Sequence, residues 1–139
     1  MHNFYKLIPH TADLGIEVWA DDLVGLYVNS ARALFDLIVG LNNIEKKEKQ
    51  IVSADGIDKE DLLISFLNEL IFLFATKKFL FSDFQVGEIS DTRIRITAEG
   101  EKFDPDKHEI IHEIKAATYH DINIEKVNNY YVTRIIFDV

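Results

Sequence analysis

Two acidic segments near the ends of the chain contain the residue types best suited to chemistry. Residues 10–13 (HTAD) read as a compact turn between two predicted strands, and Asp138 and Val139 end the last predicted strand. Calcium, magnesium and manganese prefer oxygen ligands, and two carboxylates with a backbone or terminal oxygen make a partial shell that water completes. If the fold brings Asp13 next to Asp138, these two residues and Val139 form a site for a divalent cation.

The same two aspartates also have a purely structural interpretation. An Asp in a turn commonly accepts a hydrogen bond from its own backbone, and an Asp near a chain end is commonly solvated. Spacing alone does not decide between a metal site and these local roles. The decision depends on whether the first and last strands are neighbours in one sheet.

Lys115, His108 and His112 are further candidates for a functional role. Lys115 lies in an otherwise apolar predicted strand, where it either faces solvent and discourages edge pairing or binds an anion or a partner beside the carboxylates. His108 and His112 are four residues apart, a spacing that suits zinc on a helix. Their segment is predicted as a strand and has no Cys and no HExxH motif, so we interpret them as surface histidines.

The composition narrows the choice of partners. A net charge of −9 disfavours direct binding to RNA or DNA, because that affinity comes largely from Lys and Arg on phosphates. An acidic surface suits metal cations or a basic protein partner, and it also serves solubility. No apolar run reaches the roughly 18 residues of a membrane span, residues 1–5 do not resemble a secretion signal, and Cys is absent. We therefore expect a soluble cytoplasmic protein.

Apolar residues at three- and four-residue spacings predict two amphipathic helices. The first covers residues 21–38, with Asp21 or Asp22 as N-cap and Gly40 as a left-handed stop, and residues 42–50 are predicted as a loop. The second begins after the N-cap Asp58 and ends at residues 77–78. Their predicted core faces are Leu23, Leu26, Tyr27, Ala31, Leu34, Phe35 and Ile38, and then Leu62, Leu63, Phe66, Leu67, Leu70, Ile71 and Phe74.

Alternation with period two predicts seven strands, separated by turn residues that include Gly100. Their ranges are 4–8, 15–20, 79–88, 93–99, 109–119, 122–127 and 130–137. The segment 93–98 (RIRITA) alternates most clearly, as expected of an antiparallel sheet with one face on the core. We predict one α+β domain over residues 1–139, a mostly antiparallel or mixed β-sheet sandwich with two main helices.

An ordered series of motifs runs along the chain. It consists of residues 5–13 with the HTAD turn, 16–20 (IEVWA), the helix 26–35, 62–63 (LL), 68–70 (NEL), 100–108, 114–118 (IKAAT) and 137–139 (FDV). Together, in order and spacing, these motifs resemble those of the archease family. The resemblance covers nearly the whole chain, although residues 44–57 match no motif of the family and position 117 is a plain Ala.

The resemblance implies a function in RNA repair. Archeases are protein cofactors of the tRNA-splicing RNA ligase, which joins a 2′,3′-cyclic-phosphate or 3′-phosphate end to a 5′-hydroxyl end. That ligase first accepts GMP from GTP on a histidine, in a metal-dependent step. A similar protein is expected to be an activator and not an enzyme, assisting ligase guanylylation and multiple turnover in tRNA splicing.

The resemblance also implies roles for particular residues. The metal site of the family corresponds to Asp13, Asp138 and Val139, and its functional lysine corresponds to Lys115. The expected cofactor is a divalent metal ion, calcium foremost, with magnesium or manganese as alternatives.

Two other functions stay open at this point. A small metal-dependent phosphohydrolase would use a cation at Asp13 and Asp138 to activate water, and it predicts phosphoester turnover by the isolated protein. A chaperone-like interaction module would use the same carboxylates only structurally. It predicts client protection that survives removal of both aspartates.

Overall fold

The computed structural model describes residues 3–9 and 13–139, which form two helices and two antiparallel sheets. This arrangement confirms the predicted α+β fold. The strands are β1 Tyr5–Ile8, β2 Leu14–Ala20, β3 Glu48–Asp55, β4 Phe79–Ile89, β5 Arg93–Lys102, β6 Ala116–Ala117, β7 Glu125–Val127 and β8 Tyr130–Asp138. The helices are α1 Leu23–Val39 and α2 Lys59–Lys77, and a short 3₁₀ helix, Leu41–Asn43, follows α1.

The two sheets have different sizes and strand orders. The five-stranded sheet has the order β1-β2-β8-β6, with β7 also pairing with β8, and the three-stranded sheet has the order β3-β5-β4. Strands β2 and β8 pair over seven residues of β2, from Leu14 opposite Phe137 to Ala20 opposite Tyr131. This pairing brings the beginning and the end of the chain into the middle of one sheet.

The two predicted helices are confirmed, although α1 begins at Leu23 and not at Asp21. The side chains of Asp22 and Asp58 accept hydrogen bonds from the first turns of α1 and α2. Gly40, with φ 84°, follows α1, and Lys78 in the left-handed region, with φ 64°, follows α2. Within residues 3–9 and 13–139, no helix combines the length and the apolarity that crossing a bilayer requires.

Both helices pack against both sheets, which explains why residues on more than one face of α1 are buried. Helix α1 contacts β2 and β4, while α2 contacts β3 and β6. Burial on α1 therefore extends to residues outside the predicted core face, among them Ser30, Ala33 and Leu37. The core faces predicted for the helices are confirmed in outline. The largest of the fully buried side chains include Tyr27, Phe35, Phe66, Phe81, Phe137, Ile16, Leu26, Leu34, Ile38, Leu62, Leu63 and Ile64.

The loop predicted over residues 42–50 is wrong in its last three residues, where β3 begins at Glu48. Within the described part of the chain, this strand lies at the edge of its sheet and pairs only with β5. Only Val52 and Ala54 of β3 are buried, while Ile51 is 63% exposed. The polar, charged character of the strand follows from this position, since one of its faces and one of its edges meet solvent.

The strand predicted over residues 109–119 is also wrong, because only Ala116–Ala117 pairs as a strand. The apolar residues before it are anchored differently: the Ile111 amide donates to the Ile38 carbonyl at the end of α1. Ile114 is buried without ladder pairing. In the same region, the strand predicted over residues 122–127 shortens to Glu125–Val127.

Gly100 is not the predicted turn residue but an interior position of β5, where β4 comes very close. A Cβ atom on Gly100 would lie 1.8 Å from the Leu80 carbonyl oxygen and 2.8 Å from the Phe81 Cα. Both are backbone atoms, so no side-chain rotation could relieve the contact. Glycine is therefore required here by close packing of two backbones.

A buried polar cluster anchors the segment that follows β5. Glu101 is only 4% exposed, and its carboxylate accepts hydrogen bonds from the Glu45 amide at 2.7 Å and from Lys107 Nζ at 2.7 Å. His108 Nε2 lies 3.1 Å from the same carboxylate. Burial opposes ionisation of Glu101, but these hydrogen bonds outweigh it and lower the pKa of Glu101 to about 2.

His108 belongs to this cluster, so its prediction as a surface histidine is wrong. Its side chain is buried, and its Nδ1 accepts a hydrogen bond from the Asp104 amide at 2.9 Å. With Nδ1 as acceptor, Nε2 carries the proton and donates towards the Asn43 carbonyl and Glu101. The imidazole thus joins three separate parts of the chain.

Replacing Gly100 by Ala should destabilise the protein strongly, because β4 and β5 must separate to admit the methyl group. We expect a loss of about 3 kcal/mol in the free energy of unfolding, measured by urea denaturation. Gly87→Ala on β4 is the matched control, since its Cβ would meet only the Arg95 carbonyl, at 3.5 Å. Equal losses in the two variants would contradict the close-packing explanation.

Replacing Glu101 by Gln should cost about 2 kcal/mol of stability at neutral pH, since a buried, charge-assisted hydrogen-bond network is weakened. Because the pKa of Glu101 is lowered in the folded state, its contribution is fully present above about pH 4.5 and is lost as the pH falls towards 2. Chemical denaturation at several pH values should therefore give the variant a flatter profile in this window. Glu109→Gln, at an exposed position in the following segment, should keep the wild-type profile.

Candidate functional site

Three neighbouring strands of the five-stranded sheet terminate at the same end. Strand β2 begins at Leu14, which pairs with Phe137, and β8 ends at Asp138, which pairs with Ala116, the first residue of β6. The residues at this end are Asp13, Lys115, Asp138 and Val139, and we call them the carboxylate end of the sheet.

Asp13 and Asp138 meet because of the register between β2 and β8. Leu14 pairs with Phe137, so continuing the antiparallel register by one residue places Asp13 opposite Asp138. Asp13 is half-buried, whereas Asp138 and Val139 are exposed. The strand adjacency that the metal-site prediction required is therefore present. His10, Thr11 and Ala12 lie outside the described residues, and the predicted turn is not tested.

Lys115 is joined to the same end through its backbone. Its amide donates a hydrogen bond of 2.8 Å to the Asp138 carbonyl oxygen, and its side chain is exposed. Exposure of this side chain is compatible with both roles considered for Lys115, which lies just before β6 and not inside the predicted long strand. One cationic side chain and two carboxylates consequently share one end of the sheet.

Asn68 on α2 holds β6 in place from the side opposite to β8. Its Nδ2 donates to the Ala117 carbonyl at 3.0 Å, and its Oδ1 accepts from the Ala117 amide at 2.8 Å. Past β6, the Thr118 amide and hydroxyl both donate to the Ile136 carbonyl. The short strand beside Lys115 is therefore fixed on both of its edges.

A second contact ties the segment after β6 to the start of α2. The Tyr119 hydroxyl donates to Asp61 Oδ1 at 2.7 Å, although both side chains are largely accessible. This hydrogen bond is the main cause of the raised pKa of Tyr119, and together with a hydrogen bond from the Ile57 amide it lowers the pKa of Asp61. The contact adds a further anchor for the segment that follows β6.

No functional role was predicted for Asn68 or Asp61 from the sequence. The sequence did contain an indication that Asn68 has a specific partner, because this polar residue lies between the buried residues Leu67 and Leu70 of α2. Its partner, however, is the backbone of a segment 49 residues away, which no spacing rule identifies. Asp61 lies in the first turn of α2, where a negative charge favours the helix dipole, and it also accepts the hydrogen bond from Tyr119.

The histidine pair does not form a shared site. His108 lies in the Glu101 cluster, while His112 lines an open cleft beside Leu7 on β1. Across the described part of the chain, no three His, Cys, Asp or Glu side chains gather as metal ligands. A cation at the carboxylate end would therefore need main-chain oxygen and water besides the two aspartates. That donor set, all oxygen, fits calcium, magnesium or manganese.

Comparison with known proteins gives consistent matches over nearly the whole chain. The model of the Archease protein family matches residues 5–139. Protein archease of Methanopyrus kandleri is 39% identical over 138 residues, covering 97% of this chain and 99% of that protein. Protein archease of Pyrococcus furiosus is 46% identical over 121 residues, covering 85% of each.

Two solved structures share the fold. The solution structure of Methanobacterium thermoautotrophicum protein 1598 superposes with a TM-score of 0.80 at 27% identity, covering 97% of this chain and 98% of that one. The crystal structure of an archease from Thermotoga maritima gives a TM-score of 0.67 at 23% identity over the full length of both chains, a likeness in fold alone. The family match, the identities and their coverage together establish that this chain belongs to the archease family.

Proposed function

We propose that this protein activates a GTP-dependent tRNA-splicing RNA ligase, promoting its guanylylation and multiple turnover, and is not itself an enzyme. Membership of the archease family is the first support. The observation on which the proposal depends most is the meeting of Asp13, Asp138 and Lys115 at the ends of three neighbouring strands. These side chains suit contact with the metals and phosphates of a partner's active site.

Asp13 and Asp138, with a main-chain oxygen of Val139, would hold a divalent cation, calcium foremost and magnesium or manganese as alternatives. The two carboxylates supply negative charge and the preferred oxygen ligands, and the exposure of Asp138 and Val139 leaves room for water in the shell. When bound, the cation supplies positive charge that can neutralise phosphate oxygens.

Lys115 would provide a second positive charge beside the carboxylates. Its ammonium group is exposed on a flexible stem, so it can reach a triphosphate or an acidic side chain of the partner. Its backbone bond to Asp138 keeps the base of this stem next to the metal ligands. In the ligase, the contact would help orient GTP for attack by the histidine nucleophile.

The overall charge of the protein favours the same kind of partner. A ligase that binds RNA and GTP is expected to present a basic surface, and a protein of net charge −9 would be steered towards it. The same charge disfavours direct nucleic-acid binding. We place this action in the cytoplasm, without a membrane partner.

A chaperone-like role is the second candidate, because the related Thermotoga maritima structure is named an archease and possible chaperone. In that case, protection of a client protein from aggregation should persist after removal of both aspartates. It should also show no preference for the ligase. Phosphoester hydrolysis by the isolated protein would instead indicate an enzyme.

Substituting Asp13 or Asp138 by Ala should lower ligase stimulation at least about tenfold, because each substitution removes one carboxylate ligand of the proposed cation. The measurement is single-turnover transfer of GMP from GTP to the ligase of the same organism, with Mn²⁺ and each variant. Lys115→Ala should also reduce the stimulated rate. Asp55→Ala is the control, because Asp55 is an exposed carboxylate on β3 of the other sheet. Full stimulation by both the Asp13 and Asp138 variants would refute the proposal.

A further inference from the structure

The backbone of Ala117 makes an unusual pair of hydrogen bonds with one side chain. Its amide donates to Asn68 Oδ1 and its carbonyl accepts from Asn68 Nδ2, at 2.8 and 3.0 Å. In an antiparallel ladder, a hydrogen-bonded residue pair exchanges the same two bonds. The side-chain amide of Asn68 thus takes the place of a neighbouring strand.

The contact with Asn68 matters because β6 is short and lies at an edge of its sheet. It has two residues, and its ladder partner is β8. Backbone groups on the edge that faces away from β8 require a partner, and here α2 supplies it. Helix α2 is itself fixed by its buried side chains, among them Leu67 and Leu70 on either side of Asn68. The edge of β6 is therefore held by a rigid element.

Lys115 depends on this arrangement more than on the chain before it. Regular secondary structure is absent between the end of β5 at Lys102 and the start of β6 at Ala116. Lys115 is anchored by its own hydrogen bond to the Asp138 carbonyl, by the two-residue pairing of β6 with β8 and by the Asn68–Ala117 pair. Loss of the Asn68–Ala117 pair leaves β6 fixed on one edge only, through β8 and the Thr118 bonds, so the Lys115–Asp138 bond opens more often.

We propose that Asn68 is a positioning residue, which fixes Lys115 beside Asp138 by completing the free edge of β6. The functional half of this inference rests on the proposed role of Lys115 in ligase activation. The structural half, that Asn68 holds the Lys115–Asp138 hydrogen bond, is independent of the ligase. A side chain with a donor and an acceptor on one planar group is required, since both groups of Ala117 are engaged.

Hydrogen exchange of the Lys115 and Ala117 amides tests the structural half. In Asn68→Ala, we expect both amides to exchange about tenfold faster or more, because Ala117 loses two bonds and the Lys115–Asp138 bond opens more often. Amides inside α1 and α2 should keep their rates, which separates positioning from general destabilisation. Thr76→Ala is the control, since it also removes a side-chain-to-backbone hydrogen bond from α2, to the Phe72 carbonyl.

A second variant keeps the test decisive if Asn68→Ala does not fold. Asn68→Asp keeps the side-chain volume and an acceptor for the Ala117 amide but loses the donor to the Ala117 carbonyl. It should raise exchange at Lys115 by a smaller factor than Asn68→Ala. Unchanged exchange at Lys115 in a folded Asn68 variant overturns the inference.

A double-mutant cycle with Lys115→Ala tests the functional half. Asn68→Ala alone should lower the maximum stimulated rate of GMP transfer to the ligase. In the Lys115→Ala background the same substitution should cause no further loss, because Asn68 acts through Lys115. If the two substitutions lower the GMP-transfer rate independently, so that their fold losses multiply in the double variant, the inference is overturned. If wild-type protein gives no stimulation at all, the proposed function fails, and the exchange rates still decide the role of Asn68.

Discussion

The pairing of β2 with β8 is the constraint on which the rest of the structure depends. It joins the two ends of the chain in the middle of the five-stranded sheet, and its register is strictly determined by burial. Ile16, Val18, Ile135 and Phe137 are all fully buried, so a slip by one residue would turn these side chains to the opposite face. The same register sets Asp13 opposite Asp138. The core thereby dictates the geometry of the candidate site.

The sequence predicted those elements whose local signals agree with their tertiary environment. Both helices and the alternating strand β5 were identified, because a periodic apolar face and the capping residues point to the same structure. Strand β3 was missed, since only Val52 and Ala54 of it reach the core. The segment 109–119 was misread for the opposite reason. It is rich in apolar residues, of which only Ile114 and Ala117 are buried, and the amide of Ile111 is satisfied by α1 and not by a ladder.

The sequence allowed the residues of the candidate site to be predicted, but not their positions relative to one another in the fold. Asp13 and Asp138 are 125 positions apart in the numbering, and only the sheet order shows that they are neighbours. The assignment of Lys115 came from the resemblance to archeases, and its backbone bond to Asp138 gives a physical reason for that choice. Asn68 could not be assigned from spacing, because its partner is a backbone on a distant segment. His108 is buried through contacts with three separate segments, a burial that the pattern around it did not indicate.

Fold and proposed function are therefore linked through one end of one sheet. A register fixed by apolar packing sets two carboxylates opposite each other, and the Asn68 side chain of α2 binds β6, the short strand that directly follows Lys115. Titration of Mn²⁺ into ¹⁵N-labelled protein, followed by NMR, tests the central claim most directly, since the bound ion broadens nearby amide signals. The account predicts that Leu14, Lys115 and Asp138 broaden first and that Asp13→Ala removes this effect. Broadening that is scattered over other acidic surfaces, and is unchanged in Asp13→Ala, would contradict it.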